Sequence, residues 1–221
     1  MNPKRMAAKL AVEHIADGMV VAIGSGSTVS MIIEEIESAG KQVKIVPASW
    51  QSFHESVEAG FEIVSLDRFP FPDIYLDSFD QATRKGEMVK GGGGAMLREK
   101  ILAAASRRRI FVGEGHKIVE KLNRPVPVEI TPFATGFVAE KLKTLGARLS
   151  LRVSNEKNGP IISENGNFLG DADFGEIDEP EKVEKILRQI PGILENGLFI
   201  GYADMLAIVN LDGRVEKIVF R

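Results

Sequence analysis

The chain has 221 residues, 44% hydrophobic and 27% charged, with a formal net charge of −3 and no cysteine. Such a chain carries a full globular core, and one large domain with a smaller appendage fits its length as well as two equal domains do. The charge balance argues against a nucleic-acid partner, which calls for a basic face, and the absence of cysteine excludes disulfides and thiolate metal sites. The first residues, MNPKRMAAKL, lack the apolar core of a signal peptide and no run approaches a membrane span. A cytoplasmic protein without a membrane partner is therefore expected.

In chain order, residues 3–16 carry Ala7, Leu10, Ala11, His14 and Ile15 on one helical stripe, and His14 is expected as a packed core residue. Residues 19–23, MVVAI, form a continuous apolar run suited to a parallel strand buried on both faces. The run ends in Gly24-Ser25-Gly26-Ser27-Thr28. The helix that follows places Val29, Ile32, Ile33 and Ile36 on one face and stops near Gly40. Residues 43–46 and 61–64 read as strands around a weaker helix at 50–59, and the two prolines in 66–72 make that segment loop or edge. A strand at 73–77, a helix with its stripe at Leu97, Ile101, Ala104 and Ala105, and a strand at 109–112 complete the pattern. The three arginines 107–109 are expected to face water at the end of that helix. Strands alternating with helices give an α/β fold with a doubly wound, mostly parallel, Rossmann-like sheet.

After about residue 125 the pattern changes. Residues 126–130 form a strand interrupted by Pro127. A helix bearing Ala134, Val138, Leu142 and Leu145 follows, then strand-like runs at 147–153 and 159–163 and a hairpin turn at Asn165-Gly166. Pro180 opens an amphipathic helix with Val183, Ile186, Leu187 and Ile190 on its stripe. Residues 205–209 and 215–220 form a hairpin turning at Asp212-Gly213. The expected domains are 1–125 with about 203–221, and a smaller α+β domain over about 126–202.

Two glycine loops carry the chemistry. The first, residues 24–28, runs from a strand into a helix and offers backbone N–H groups, hydroxyls and a positive dipole end, a combination that suits a phosphate. It is not the dinucleotide fingerprint, because position 29 is Val29 and the next strand, KIVPAS, lacks the acidic residue that would hold a ribose. A tight turn with a serine cap is the plain alternative. The second stretch, residues 74–100, reads IYLDSFDQATRKGEMVKGGGGAMLREK. Asp77 and Asp80 fall beyond the carboxyl end of a strand, where open parallel sheets bind ligands. Lys90 leads into Gly91, Gly92, Gly93 and Gly94, a loop costly to order unless something approaches its backbone closely, and Glu99 follows in a helix. Arg98 and Lys100 are expected to be solvated. His54 and His116 have no neighbouring ligand pattern, so no metal is assigned.

On these motifs the chain resembles the type A ribose-5-phosphate isomerases over nearly its whole length. The family's GTGST loop stands here as Gly24-Ser25-Gly26-Ser27-Thr28, and its KGGGGALLREK signature as residues 90–100. Its DGADE motif is altered to Asp77-Ser78-Phe79-Asp80-Gln81, and family lysines fall at Lys4 and Lys117. The resemblance implies interconversion of D-ribose 5-phosphate and D-ribulose 5-phosphate through an enediolate, without metal or cofactor. It implies Glu99 as the base that moves the carbon-bound proton, Asp77 and Asp80 for the hydroxyl protons and ring opening, and Lys90 for the charge on oxygen. Ser25, Gly26, Ser27 and Thr28 with Lys4 and Lys117 would hold the phosphate, and Gly91, Gly92 and Gly93 would lie against the sugar. It further implies a lid-like role for the smaller domain and a homodimer or homotetramer. Phe79, between the two aspartates, could narrow the pocket or change the loop. The alternatives are a same-fold isomerase for another sugar phosphate and a non-catalytic sugar-phosphate sensor.

Overall fold

The run VVAI forms a strand, Val20–Ile23, with all four residues buried, as a strand covered on both faces requires. It lies within a seven-stranded sheet of the computed structural model, which describes residues 2–220. The sheet order is Val215–Val219, Met205–Val209, Arg109–Glu114, Ile74–Ser78, Val20–Ile23, Lys44–Pro47, Glu62–Ile63. All neighbours run parallel except the terminal hairpin of Met205–Val209 with Val215–Val219. Helices α1 (Pro3–Val12), α2 (Ser27–Ser38) and α3 (Trp50–Glu58) connect or precede the strands. The core joins Ala7 and Ala11 of α1, Ile32 and Ile36 of α2, and strand residues such as Ile23, Leu76, Ile110 and Ala207.

Chain contacts divide the protein into two units. One comprises Met1–Phe79, Arg98–Ile118 and Gly201–Arg221; the other comprises Asp80–Leu97 and Val119–Ile200. Boundaries read from the sequence leave residues 80–97 with the larger unit. The structure groups them with the smaller one, because Met88–Val89 pairs with Gln81–Thr83 on one side and Leu198–Phe199 on the other. Strands of two and three residues leave no periodic signal long enough to read.

The smaller unit is built on an antiparallel sheet ordered Arg148–Leu151, Phe168–Asp173, Val126–Ile130, Ile193–Asn196. Helices α5 (Thr135–Thr144) and α6 (Pro180–Arg188) contribute Val138, Leu142 and Leu187 to its core with Val126, Val128, Ile130 and Ala172. Pro127 is tolerated inside the strand. The strand's five residues are all buried, among them Glu129, which accepts from Ser163 Oγ (2.7 Å) and Asn167 Nδ2 (2.8 Å).

Three local expectations change. Helix α1 ends at Val12, so His14 lies beyond it, half-buried, and burial followed by the charges of Arg108 and Lys217 lowers its pKa. Of the arginine triplet expected to face water, Arg107 and Arg108 are exposed, but Arg109 is half-buried. Helix α4 (Met96–Ala105) stops before the triplet, and Arg109 opens a strand, donating to Asp204 from Nε (2.9 Å) and Nη2 (2.7 Å). Finally, α4 buries Met96, Glu99, Lys100 and Ala103, not the stripe through Ile101, which is 46% exposed. Lys100 is thus buried rather than solvated. An i, i+3, i+4, i+7 face that includes two charges is invisible to a search for apolar periodicity.

Candidate active site

In the larger unit the carboxylates come from the strand Ile74–Ser78 and from α4. Asp77 is fully buried. Tyr75, two residues earlier and therefore on the same strand face, donates its hydroxyl to Asp77 Oδ2, and the Ser78 N–H donates to Oδ1 at 2.7 Å. Gly24 makes room for this carboxylate: a Cβ there would lie 2.0 Å from Asp77 Cγ. Glu99 is 3% exposed, and Ser25 Oγ donates to its Oε1 at 2.6 Å. Tyr75 is itself fully buried, its ring edge-on to Phe111 at 5.7 Å. Burial, then the charges of Asp77 and Glu99, push its phenol well above the ordinary value, so it remains a donor.

The first glycine loop leads into the N-terminus of α2, whose cap is Gly26. Lys4 Nζ donates to Ser27 Oγ at 3.0 Å, which brings the early lysine to this helix end. The Gly26 N–H donates to Gln51 Oε1 at 3.1 Å. Gln51 carried no sequence signal. Thr28 is buried on α2, and Lys117, in a short 3₁₀ turn after Arg109–Glu114, stands 3.7 Å from Glu114. The loop's hydroxyls divide: Ser27 meets Lys4, whereas Ser25 is engaged by Glu99.

The smaller unit holds Asp80, Lys90 and the second glycine loop. The Gly92 N–H donates to Asp80 Oδ2 at 2.8 Å, and a Cβ at residue 92 would come within 3.0 Å of that oxygen. Gly91 and Gly94 adopt φ of +101° and +86°, a region that favours glycine. Lys90 is 3% exposed, with its N–H donated to the Gly197 carbonyl (2.8 Å) and its ammonium 5.4 Å from the centre of the Phe199 ring. Gln81, which replaces the family's glutamate, donates to Asn123 Oδ1 (2.7 Å) and accepts from the Asn123 (2.8 Å) and Arg124 (3.1 Å) backbone. An amide can do both; a carboxylate only accepts. Arg152 and Asp171, which no sequence motif marked, flank the glycine loop: Arg152 Nη1 donates to the Gly91 and Gly92 carbonyls.

Phe79 belongs to the larger unit's interior. It is 1% exposed and lies over Gly113, where a Cβ would come within 2.6 Å of its ring. The larger side chain in the acidic motif is therefore matched by a glycine in the neighbouring strand and does not stand open as a pocket wall. Among the described residues no group of His, Cys, Asp and Glu is arranged to hold a metal ion, and no helix is long and apolar enough to cross a membrane.

The family model of ribose 5-phosphate isomerase A (phosphoriboisomerase A) matches residues 44–213. The chain is 45% identical over 202 residues to ribose-5-phosphate isomerase A of Archaeoglobus fulgidus, covering 89% of each protein. It is similar to the solved ribose 5-phosphate isomerase A of Methanocaldococcus jannaschii, with a TM-score of 0.93, 31% identity and 99% of each chain covered. A D-ribose-5-phosphate isomerase solved with phospho-erythronic acid superposes with a TM-score of 0.94 at 34% identity, over 100% of both chains. With Asp77 and Glu99 buried in the larger unit, a family model matching residues 44–213, and relatives that cover 89% to 100% of the chain, the chain belongs to the ribose 5-phosphate isomerase A family.

Proposed function

We propose that the protein interconverts D-ribose 5-phosphate and D-ribulose 5-phosphate, with Glu99, Asp77, Asp80 and Lys90 as its catalytic groups. The observation that carries this reading is that the chain retains both Glu99 and Lys90 and buries each to 3% exposure. Burying a charge costs free energy unless it is compensated, and binding alone asks for no such pair. Glu99, oriented by Ser25 Oγ, takes the proton from C2 of the open-chain aldose, and the C2–H electrons form the C1–C2 double bond as the carbonyl electrons move to O1. The same carboxyl returns the proton to C1 while the O2 proton passes to O1, leaving the ketone at C2. A base within reach of the carbon-bound proton and a cation near the oxygen charge are what this path requires.

Asp77 and Asp80 handle the hydroxyl protons and ring opening, and Lys90 stabilises oxygen charge in the enediolate. Lys4, Ser27, Thr28 and Gly26 hold the phosphate at the start of α2, with Lys117 and the Ser25 backbone completing the set. Gly91, Gly92 and Gly93 lie against the sugar. That a family member matched over the whole of both chains was solved with phospho-erythronic acid, a sugar-acid phosphate, supports a substrate of this size and charge. The chain's mixed charge fits a cytoplasmic enzyme, and Phe133 and Phe137, both exposed near the start of α5, fit a homodimer or homotetramer; light scattering on the purified chain reads the latter.

Ribose 5-phosphate conversion with EDTA present, wild type beside Glu99→Gln, tests the assignment. The wild type turns over, and the variant loses about 10²–10⁴-fold in kcat while still binding substrate. A Glu99→Gln variant as fast as the wild type would sink it.

A further inference from the structure

A four-glycine loop is the least self-determined backbone in a protein, since each glycine samples more conformations than any other residue. Something outside the loop must fix it. Gly94 N–H closes a turn onto the Gly91 carbonyl at 3.0 Å, and a side chain sixty residues away completes the job. Arg152 Nη1 donates to the Gly91 carbonyl at 2.9 Å and to the Gly92 carbonyl at 3.0 Å. Its Nε and Nη2 donate to Asp171 Oδ2 and Oδ1 at 2.8 and 2.6 Å. The guanidinium fork is therefore filled on one side by a carboxylate and on the other by two loop carbonyls, a pattern that a lysine's single ammonium does not match.

Arg152 cannot drift. Its backbone N–H donates to Leu169 at 2.9 Å, its carbonyl accepts from Ile161 at 2.8 Å, and Asp171 stands on the strand Phe168–Asp173. The loop is thus anchored to the antiparallel sheet of its own unit. The peptide joining Gly91 to Gly92 is trans, so its carbonyl and N–H point in opposite directions. The carbonyl faces the guanidinium, and the N–H at the other end donates to Asp80 Oδ2 at 2.8 Å. A cation on one end of a peptide strengthens the donor at the other.

We infer that Arg152, held by Asp171, is a positioning residue that fixes the Gly91–Gly92 backbone and through it the orientation of the Asp80 carboxylate. The inference rests on the proposed role of Asp80 in catalysis. It makes Asp171–Arg152–glycine loop–Asp80 a single relay inside one unit, of which only the last two members are marked by a sequence motif.

The test uses the full chain with Arg152→Gln, Arg152→Ala and Asp171→Asn, each checked for folding by circular dichroism and urea unfolding. In Arg152→Gln, kcat for ribose 5-phosphate falls by about tenfold to a hundredfold, as a small misplacement of a reacting group does, while KM stays within about threefold because the phosphate loop is a separate segment. Millimolar guanidinium restores part of the turnover of Arg152→Ala. A purely stabilising side chain would give neither the kcat-selective loss nor the response to added guanidinium. If Arg152→Gln does not fold, Asp171→Asn, which keeps the shape and removes the charge, shows the same kcat-selective loss on a smaller scale. Amide hydrogen exchange gives a second readout that needs no turnover: Gly92 N–H loses protection in the variants. Should the wild type fail to convert ribose 5-phosphate, the functional reading fails, and exchange at Gly92 still decides whether Arg152 braces the loop. A folded Arg152→Gln with wild-type kcat and unchanged Gly92 protection overturns the inference.

Discussion

Tyr75 shows how a buried acid is kept usable. Its hydroxyl satisfies one oxygen of the fully buried Asp77, and the Ser78 N–H satisfies the other. Because the phenol's folded-state pKa is raised, the protonated form is what folding favours. That contribution is fully present below the ordinary tyrosine value of about 10 and is lost as pH climbs toward the folded value. Urea unfolding from about pH 9 to about pH 11 should therefore show the wild type losing stability, with Tyr75→Phe following a flatter curve. The variant starts lower by about 1–3 kcal/mol, since it leaves a buried carboxylate oxygen without this donor. A variant with the wild-type pH slope would assign the alkaline loss elsewhere. The DxxD spacing was legible in the sequence, and Tyr75 could have been found with it, because residues i and i+2 of a strand share a face. Gln51 and Arg152 could not, since their partners are distant in the chain.

Helix α4 carries the lesson at the scale of one element. An apolar search selects Leu97, Ile101, Ala104 and Ala105, yet the helix buries Met96, Glu99, Lys100 and Ala103. Its buried positions mix apolar Met96, Leu102 and Ala103 with the charged Glu99 and Lys100. Two substitutions separate the faces. Ile101→Gln, at a site 46% exposed, changes stability by no more than about 0.5 kcal/mol. Ala103→Leu, at a site with no exposure, overpacks and costs about 1–3 kcal/mol. The urea midpoints of the two variants give the answer, and equal effects would mean that the helix is rotated from this description. Helix α2 is the contrast: Val29, Ile32, Ile33 and Ile36 are expected inward and all are buried, because no charge there competes for the core.

Over the whole molecule the chain returns to finish what it began. Met205–Val209 pairs in parallel with Arg109–Glu114, and the terminal strand Val215–Val219 then closes the edge of the seven-stranded sheet. Arg109 and Asp204 lock this junction from positions 95 residues apart, through a bidentate pair of side chains 14% and 9% exposed and a further bond from the Arg109 N–H at 2.8 Å. Asp204→Ala strands the guanidinium and destabilises the protein by about 3–5 kcal/mol, as breaking a buried pair does. Chemical unfolding measures it; a loss under about 1 kcal/mol would show the pair to be solvated, as exposed pairs are.

The sequence alone determined the parallel sheet of the larger unit, the helix faces built from branched apolar residues, and the two glycine loops with their carboxylates and lysine. Those features are local or periodic, and local geometry leaves its mark on neighbouring residues. Only the tertiary structure decided that Met88–Val89 pairs with Leu198–Phe199, that Phe79 rests on Gly113, and that Arg152 reaches the glycine loop. Each depends on segments far apart in the chain, joined by two-residue strands, a missing Cβ or one guanidinium. Such contacts are set by how the chain folds back on itself, and no spacing along it records them.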